Sequence, residues 1–180
     1  MDSAEPGVEE AVALEAEDLA GSGAAEAAPE EEAQVAAGKT THSGNSPIID
    51  AIALAEEGTT GEVRVHLSRK FFERDPYARA AKLFARFGMW RTANKNAVLL
   101  YVNLRRHKFA VYADEGIYKV LGQEYWNSLS EALSDDLRKM PAEKAIAIAV
   151  VTIGETLKKY FPAETGAVNE NELKDEVSHD

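Results

Sequence analysis

The part of the chain that most restricts its fold is the unbroken apolar run Ala97–Val102, AVLLYV. A run this short is typical of a β-strand buried on both faces, because a strand with one wet face alternates apolar and polar residues. A largely polar and basic segment, residues 103–107, follows it, and a third strand is predicted at Lys108–Ala113. The segment between them therefore predicts a hairpin, with the two strands antiparallel. A central strand covered on both faces needs a layer on each side of the sheet.

The flanking segments supply those layers and one more strand. Alternation of apolar and polar residues predicts a strand over residues 62–67, EVRVHL. Apolar residues at helical spacing predict helices at about residues 47–57, 76–87, 115–122, 126–140 and 142–160. The order helix, strand, helix, strand, strand, helices predicts an α/β protein, a three-layer α/β/α sandwich with a small mixed β-sheet.

Charge and composition divide the 180 residues into three parts. Residues 1–45 have no Phe, Trp or Tyr, and their first 38 residues hold 11 acidic and no basic side chains, which predicts a disordered acidic leader. Residues 46–163 form the predicted domain, and residues 164–180 are predicted to be an acidic, mostly mobile tail. Residues 39–163 carry 14 acidic and 19 basic side chains, so a mildly basic body lies between acidic ends. The absence of Cys excludes a disulfide framework, a Cys-based metal site and a cysteine nucleophile.

Topology predicts that one edge of the sheet collects polar side chains. The strand–helix–strand unit should be a right-handed crossover between parallel strands, and the hairpin reverses the third strand. The start of the first strand, the approach to the second and the end of the third then share one edge. The polar residues at these three positions are Glu62, Arg91, Thr92, Asn94, Asn96, Asp114 and Glu115.

Two interpretations of this edge remain open. Carboxylate and amide oxygens suit Ca²⁺ or Mg²⁺, and a bound metal could polarise a phosphoryl oxygen or activate water. Alternatively, Asp114 simply caps the helix that follows it, and Glu62 pairs with Arg64 or Arg91 on the surface. Asp114, Glu62 and Arg91 are the candidates for catalysis. Asp114, Glu62 and Asn96 are the candidate metal ligands, and Thr92, Asn94 and Arg64 are the candidate binding residues.

The opposite edge carries a set of basic residues that we call the basic rim. It consists of Arg69, Lys70, Arg74, Arg105, Arg106, His107 and Lys108. A charged loop in solvent explains the basic rim, and so does an anionic partner, including the chain's own acidic leader. Nucleic acid is not expected, because aromatic residues are not interleaved with these bases and the leader would compete for them. His66, on the polar face of the first strand, is expected to be a partly exposed structural residue.

Several catalytic motifs are absent from the sequence. There is no GxGxxG after a strand, no P-loop, no GxSxG and no metal-ligand spacing among the four His residues. Hydrolysis, if the chain performs it, would rest on carboxylates and a metal. The N-terminus lacks the basic start and apolar run of a signal peptide, and no apolar stretch approaches the roughly 20 residues that span a bilayer. We therefore expect a cytoplasmic protein without a membrane span.

Three segments in this order resemble the TPM domain family, which is named for a thylakoid lumen acid phosphatase, a photosystem II repair protein and a modulator of acetylcholine receptors. They are AEEGTTGEVRVHL at 55–67, LFARFGMWRTANKNAVLLYVN at 83–103 and KFAVYADEGIYKVLGQEYW at 108–126. The segment IGETLKKYFP, ending at Pro162, and NEL at 171–173 also fit. The resemblance covers roughly residues 46–175.

The resemblance implies an α/β/α sandwich, and some family members are described as phosphatases with a divalent metal near acidic loop residues. By position, Glu62 corresponds to the acid of the family's first strand and Asp114 to the acid of its D-x-G-I turn. Thr92 and Asn96 fall in the segment before its central strand, and Ala97 stands where many members have Gly. The expected function is an accessory TPM-like domain that binds Ca²⁺, Mg²⁺ or a protein partner, without an organic cofactor. The alternative is a metal-assisted phosphatase acting on phosphomonoesters.

Overall fold

A computed structural model describes residues 46–163 and 177–180. Four helices and four strands make up the described part of the chain. The helices are α1 (Pro47–Glu56), α2 (Pro76–Arg86), α3 (Glu115–Lys139) and α4 (Ala142–Tyr160). The strands are β1 (Glu62–Ser68), β2 (Ala97–Asn103), β3 (Lys108–Ala113) and β4 (Val177–His179). A short 3₁₀ turn, Met89–Arg91, precedes β2.

The strands form one mixed sheet in the order β3-β2-β1-β4. β1 is parallel to both β2 and β4, whereas β3 returns antiparallel to β2 through the hairpin. The predicted crossover and hairpin are therefore both present, and the α/β fold class is confirmed. The start of β1, the start of β2 and the end of β3 lie at one edge, which we call the amino edge.

Helices cover both faces of the sheet. Val98, Leu100 and Val102 of β2 pack into the larger core with α1, α3 and α4, whereas Leu99 and Tyr101 pack into a smaller core with α2. All seven residues of β2 are buried, which explains why the run AVLLYV lacks polar residues. The three layers follow from these two cores.

The described residues refine the sequence predictions in three places. Strand β4 lies within the segment predicted to be a mobile tail, and three residues are too few for a periodic pattern. The two helices predicted on either side of Gly122 form one element, α3, interrupted at Gly122 with φ 69° and ψ 170°. This combination is essentially restricted to glycine. His66 is 3% exposed, so the expectation of partial exposure is wrong, because its ring lies against Tyr101 and Phe87 and contacts Ser178 and Asp180.

The predictions for the acidic leader and for residues 164–176 lie outside the described residues. Within the described part of the chain, none of the helices has the length and apolar character to cross a membrane.

Candidate functional site

Three residues form a row across the sheet at the amino edge. Glu62 on β1 is in register with Ala97 on β2, and the Asp114 amide at the end of β3 donates to the Ala97 carbonyl at 2.9 Å. Alternation along each strand places Glu62, Ala97 and Asp114 on the side of the sheet that faces α2, because Val63, Val98 and Ala113 belong to the core on the other side. At the usual spacing of strands, the Glu62 and Asp114 backbones lie ~9.5 Å apart. The central position carries only a methyl group, so two carboxylates flank a small residue.

Asp114 caps α3, as one of the two open interpretations predicted. Its Oδ1 accepts the Glu115 amide at 2.9 Å. Its Oδ2 is buried and has no hydrogen-bond partner among the described residues. Burial raises the pKa of Asp114 above its ordinary value of 3.8, although the Glu115 amide and the Lys95 charge act in the opposite direction. The cap therefore accounts for one oxygen of the carboxylate and leaves the other available.

Asn96 provides a second buried oxygen next to Ala97. Asn96 is 0% exposed, its Nδ2 donates to Thr60 Oγ1 at 3.1 Å, and its Oδ1 has no partner within the described part of the chain. Asn94 Nδ2 donates to the same Thr60 oxygen at 3.0 Å, and the Asn96 amide donates to Thr92 Oγ1 at 3.3 Å. Thr92 and Asn94 thus hold the loop before β2 in place, and Asn96 presents an unused acceptor.

Thr60 and Gly116, which the sequence analysis did not single out, complete this edge. Thr60 connects the start of β1 to the loop before β2 through the two amides of Asn94 and Asn96. At Gly116, a Cβ atom would lie 2.2 Å from the Asn94 carbonyl and 2.7 Å from the Lys95 carbonyl. The D-x-G turn therefore needs glycine because the backbone of the loop touches it. The need for glycine at position 116 follows from this tertiary contact and is not visible in the sequence. Thr60 could not be identified from the sequence either, because its position before a strand does not distinguish it from other residues.

The predicted arginines differ in their surroundings. Arg91 is exposed, its guanidinium carbon lies 5.4 Å from the centroid of the Trp90 ring, and no ion pair involving it occurs in the described residues. Arg64 stacks on Phe87 at 4.8 Å and is on the α2 side of β1. Glu62 is 2% exposed, so the predicted surface position of this carboxylate is wrong. Glu115 is exposed and forms an ion pair with Lys119 at 3.1 Å, so it does not join Glu62 and Asp114 beside Ala97.

The amino edge offers hard oxygen ligands in a small number. Among residues 46–163 and 177–180, no three His, Cys, Asp or Glu side chains gather as a metal cluster. A cation beside Ala97 would be bound through Asp114, Glu62, the Asn96 amide and water. Mg²⁺ and Ca²⁺ accept such mixed oxygen sets, and Mg²⁺ commonly retains several waters.

A second polar cluster lies at the opposite end of β1. The Asp180 carboxylate accepts hydrogen bonds from Lys70 and Arg79 and lies 3.3 Å from His66 Nε2. His66 Nδ1 is 2.8 Å from Ser178 Oγ, and its ring stacks on Tyr101.

Burial lowers the pKa of His66 from 6.5, and the neighbouring Asp180 partly offsets this effect. Hydrogen bonds from Lys70, Ser68, Arg79 and His66 outweigh burial and lower the pKa of Asp180 from 3.8. These contacts bind β4 to the sheet.

Comparison with known proteins identifies the family. A family model described as the TPM domain matches residues 41–156. A solved structure, the NMR structure of the BA42 protein from the psychrophilic bacterium Bizionia argentinensis, is similar to this chain with a TM-score of 0.66 and 32% sequence identity. The similarity covers 74% of this chain and 90% of that one. A search of curated proteins finds no match. The family match spans more than half of the sequence and agrees with the fold, so the chain belongs to the TPM domain family.

Proposed function

We propose that this TPM domain is an accessory domain that binds a divalent cation, Ca²⁺ or Mg²⁺, at the amino edge of its sheet. The ligands are Asp114, Glu62 and the side-chain amide of Asn96, with water completing the coordination. The observation that carries the proposal is the pair of buried oxygens, Asp114 Oδ2 and Asn96 Oδ1, that have no hydrogen-bond partner in the described residues. Buried polar atoms are nearly always paired. One of these oxygens belongs to the residue before Ala97 and the other to the residue whose amide bonds the Ala97 carbonyl, so both point to an electropositive ligand at this edge.

The electrostatics support a cation rather than a further hydrogen bond. Burial raises the pKa of Asp114, and the Glu115 amide and the Lys95 charge offset this effect only in part. Lys95 acts on it favourably, but the Lys95 ammonium donates to the Trp90 carbonyl and not to the carboxylate. A divalent ion at this edge would provide the compensating charge.

Calorimetric titration of the full chain with Ca²⁺ and with Mg²⁺ tests the proposal. Asp114→Asn removes the ionised ligand but retains an Oδ1 atom that can cap α3. Asp135→Asn is the matched control, because it removes the same charge from an exposed helical site that pairs with Arg138. We expect Asp114→Asn to weaken the tightest binding at least tenfold and Asp135→Asn to leave it unchanged. Equal affinity in the wild type and Asp114→Asn would overturn the proposal.

The second candidate function, a metal-assisted phosphatase, uses the same edge. Arg91 favours it, since this exposed guanidinium lies on the approach to β2 and forms no ion pair with the described residues. In this mechanism Asp114, Glu62 and Asn96 would hold a cation that would supply Lewis-acid polarisation of a phosphoryl oxygen, and Arg91 would bind the phosphate. Hydrolysis of a generic phosphomonoester should then require the cation and fall at least tenfold in both Asp114→Asn and Arg91→Gln. If the chain binds the cation but does not hydrolyse the phosphomonoester, the phosphatase candidate fails and only the accessory role remains.

A further inference from the structure

Two exposed phenylalanines lie beside the basic rim, and they belong neither to the hydrophobic cores nor to the amino edge. Phe72 is 93% exposed and Phe71 is 49% exposed, in the loop between β1 and α2. Their rings contact each other edge to face with centroids 5.0 Å apart. Phe72 therefore projects into solvent at the end of the sheet opposite the candidate cation site. A nearly fully exposed Phe gains nothing from folding, so its position is not explained by the protein core.

The phenylalanines lie within the basic rim. The guanidinium carbons of Arg105 and Arg106, from the β2–β3 hairpin, are 4.9 and 5.8 Å from the centroid of the Phe71 ring. The Leu104 amide donates to the Ser68 carbonyl at 2.9 Å, which holds the hairpin beside the loop. The premise that aromatics are not interleaved with these bases is therefore wrong: Phe71 and Phe72 lie between Lys70 and Arg74 in the sequence, and the fold adds the hairpin arginines.

The acidic side chains near this surface are already engaged. Glu73 accepts from Tyr101 and Asn103 at 2.6 Å each, and Asp75 caps α2 by accepting the Ala78 amide at 2.9 Å. Asp180 is bound by Lys70, Arg79 and His66. Within the described part of the chain, five Lys and Arg side chains of the basic rim form no ion pair: Arg69, Arg74, Arg105, Arg106 and Lys108. The surface thus combines net positive charge with a protruding apolar group.

We infer that the basic rim, together with Phe71 and Phe72, is a docking surface for an anionic lipid bilayer. The arginines contact anionic headgroups, and Phe72 inserts at the boundary between headgroups and acyl chains. Peripheral attachment generally needs two signals, an apolar group and basic residues, and both are present here. A polyanion without an apolar phase, such as nucleic acid or an acidic peptide, would use the arginines but would leave Phe72 in water. The protruding ring is the observation that favours lipid.

The negative charge of the acidic leader should make binding to the bilayer depend on ionic strength. Its 11 carboxylates add negative charge that an anionic bilayer repels, so attachment should be strongest where the rim's attraction is least screened, at low ionic strength. Each Lys or Arg near such a surface strengthens binding about fivefold, and insertion of one Phe adds about tenfold. The interaction is therefore reversible and sensitive to salt.

Co-sedimentation of the full chain with vesicles tests the inference. The vesicles contain phosphatidylcholine alone or phosphatidylcholine with phosphatidylserine. We expect binding only to the mixed vesicles, about tenfold weaker for Phe72→Ser, and about 25-fold weaker for the double substitution Arg105→Gln with Arg106→Gln. The matched control is Tyr160→Ser. Tyr160 is an aromatic residue that is 44% exposed beside Lys159, and it lies outside the basic rim, at the carboxyl end of α4. This control should bind like the wild type.

Insertion has its own readout. In Phe72→Trp, the additional tryptophan emission should shift to shorter wavelength with mixed vesicles and be quenched by brominated acyl chains. No binding of the wild type to mixed vesicles, or equal binding by wild type and Phe72→Ser, would overturn the inference. Binding of a single-stranded oligonucleotide or a poly-glutamate peptide in place of vesicles would overturn it as well, and would reassign the basic rim to a soluble polyanion.

Discussion

Glu62 at the start of β1 and Asp114 directly after β3 flank Ala97 of β2, and side-chain alternation places all three residues on the side of the sheet that faces α2. The two acids are 52 positions apart in sequence, and only the crossover from β1 to β2 and the hairpin from β2 to β3 bring them together. A small residue between two carboxylates is an arrangement suited to a shared cation.

Ala97 should limit the size of this site. Replacing Ala97 by Val adds two methyl groups to a fully buried position between the acids. We expect loss of cation binding together with a decrease of about 1–3 kcal/mol in the free energy of unfolding, because the core has no spare volume. Chemical denaturation and calorimetric titration measure the two effects. Ala110→Val is the control, since Ala110 packs in the same smaller core away from the amino edge and should lose stability without losing the cation. Unchanged cation affinity in Ala97→Val would contradict a site above Ala97.

The ionisation of Asp114 should couple stability to pH in the cation-free protein. Its pKa in the folded chain is raised above 3.8, so the folded state binds the proton more tightly than the unfolded state. The free energy of unfolding should therefore fall as the pH rises from about 3.8 through the raised value. Asp114→Asn should lack this decrease, and saturating Ca²⁺ should reverse it by stabilising the carboxylate. Denaturation across this range checks the sign, and a pKa below 3.8 without cation would contradict the account.

Gly116 should be the glycine on which the amino edge depends. In Gly116→Ala, the new Cβ meets two backbone carbonyls of the loop before β2, which cannot move as a flexible side chain does. We expect a loss of about 3 kcal/mol or more in stability and shifted amide signals at Asn94 and Asn96. Gly58→Ala is the control: Gly58 has φ 75° and no atoms within 4 Å of its Cβ position, so it should cost about 1–2 kcal/mol and leave those signals in place. A milder effect at Gly116 than at Gly58 would refute this packing.

Acid should weaken the attachment of β4 in two stages. His66 has a folded-state pKa below 6.5, so its contribution to stability is complete above 6.5 and is lost as the pH falls below that value. Asp180 has a folded-state pKa below 3.8, and its contribution is lost only at more acidic pH. Asp180→Asn should cost about 1–3 kcal/mol at neutral pH, because it removes charge-assisted hydrogen bonds. It should also lower the pKa of His66 further, since the carboxylate favours the protonated ring. NMR titration of the imidazole measures this shift, and a rise would contradict it.

The features that the sequence could predict are those set by interactions between residues close together along the chain. AVLLYV and the alternation EVRVHL depend on burial along one strand, so they predicted β2, β1 and the sandwich correctly. The row at the amino edge was predictable in outline because crossover and hairpin geometry are general rules. The register that pairs Glu62 with Ala97 and the unused oxygens of Asn96 and Asp114 depend on packing, which no local pattern carries. Strand β4 was missed for the same reason: VSH is stabilised by contacts of Ser178 and Asp180 with distant residues.

Paramagnetic mapping with Mn²⁺ tests the central claim most directly, because Mn²⁺ shares the oxygen preference of Mg²⁺ and broadens amide signals according to distance. In the full chain at low Mn²⁺, the first signals to broaden should be those of Glu62, Ala97 and Asp114, and this broadening should disappear in Asp114→Asn. Broadening confined to the acidic leader, with the Ala97 signal unaffected, would show that the chain has no cation site at the amino edge.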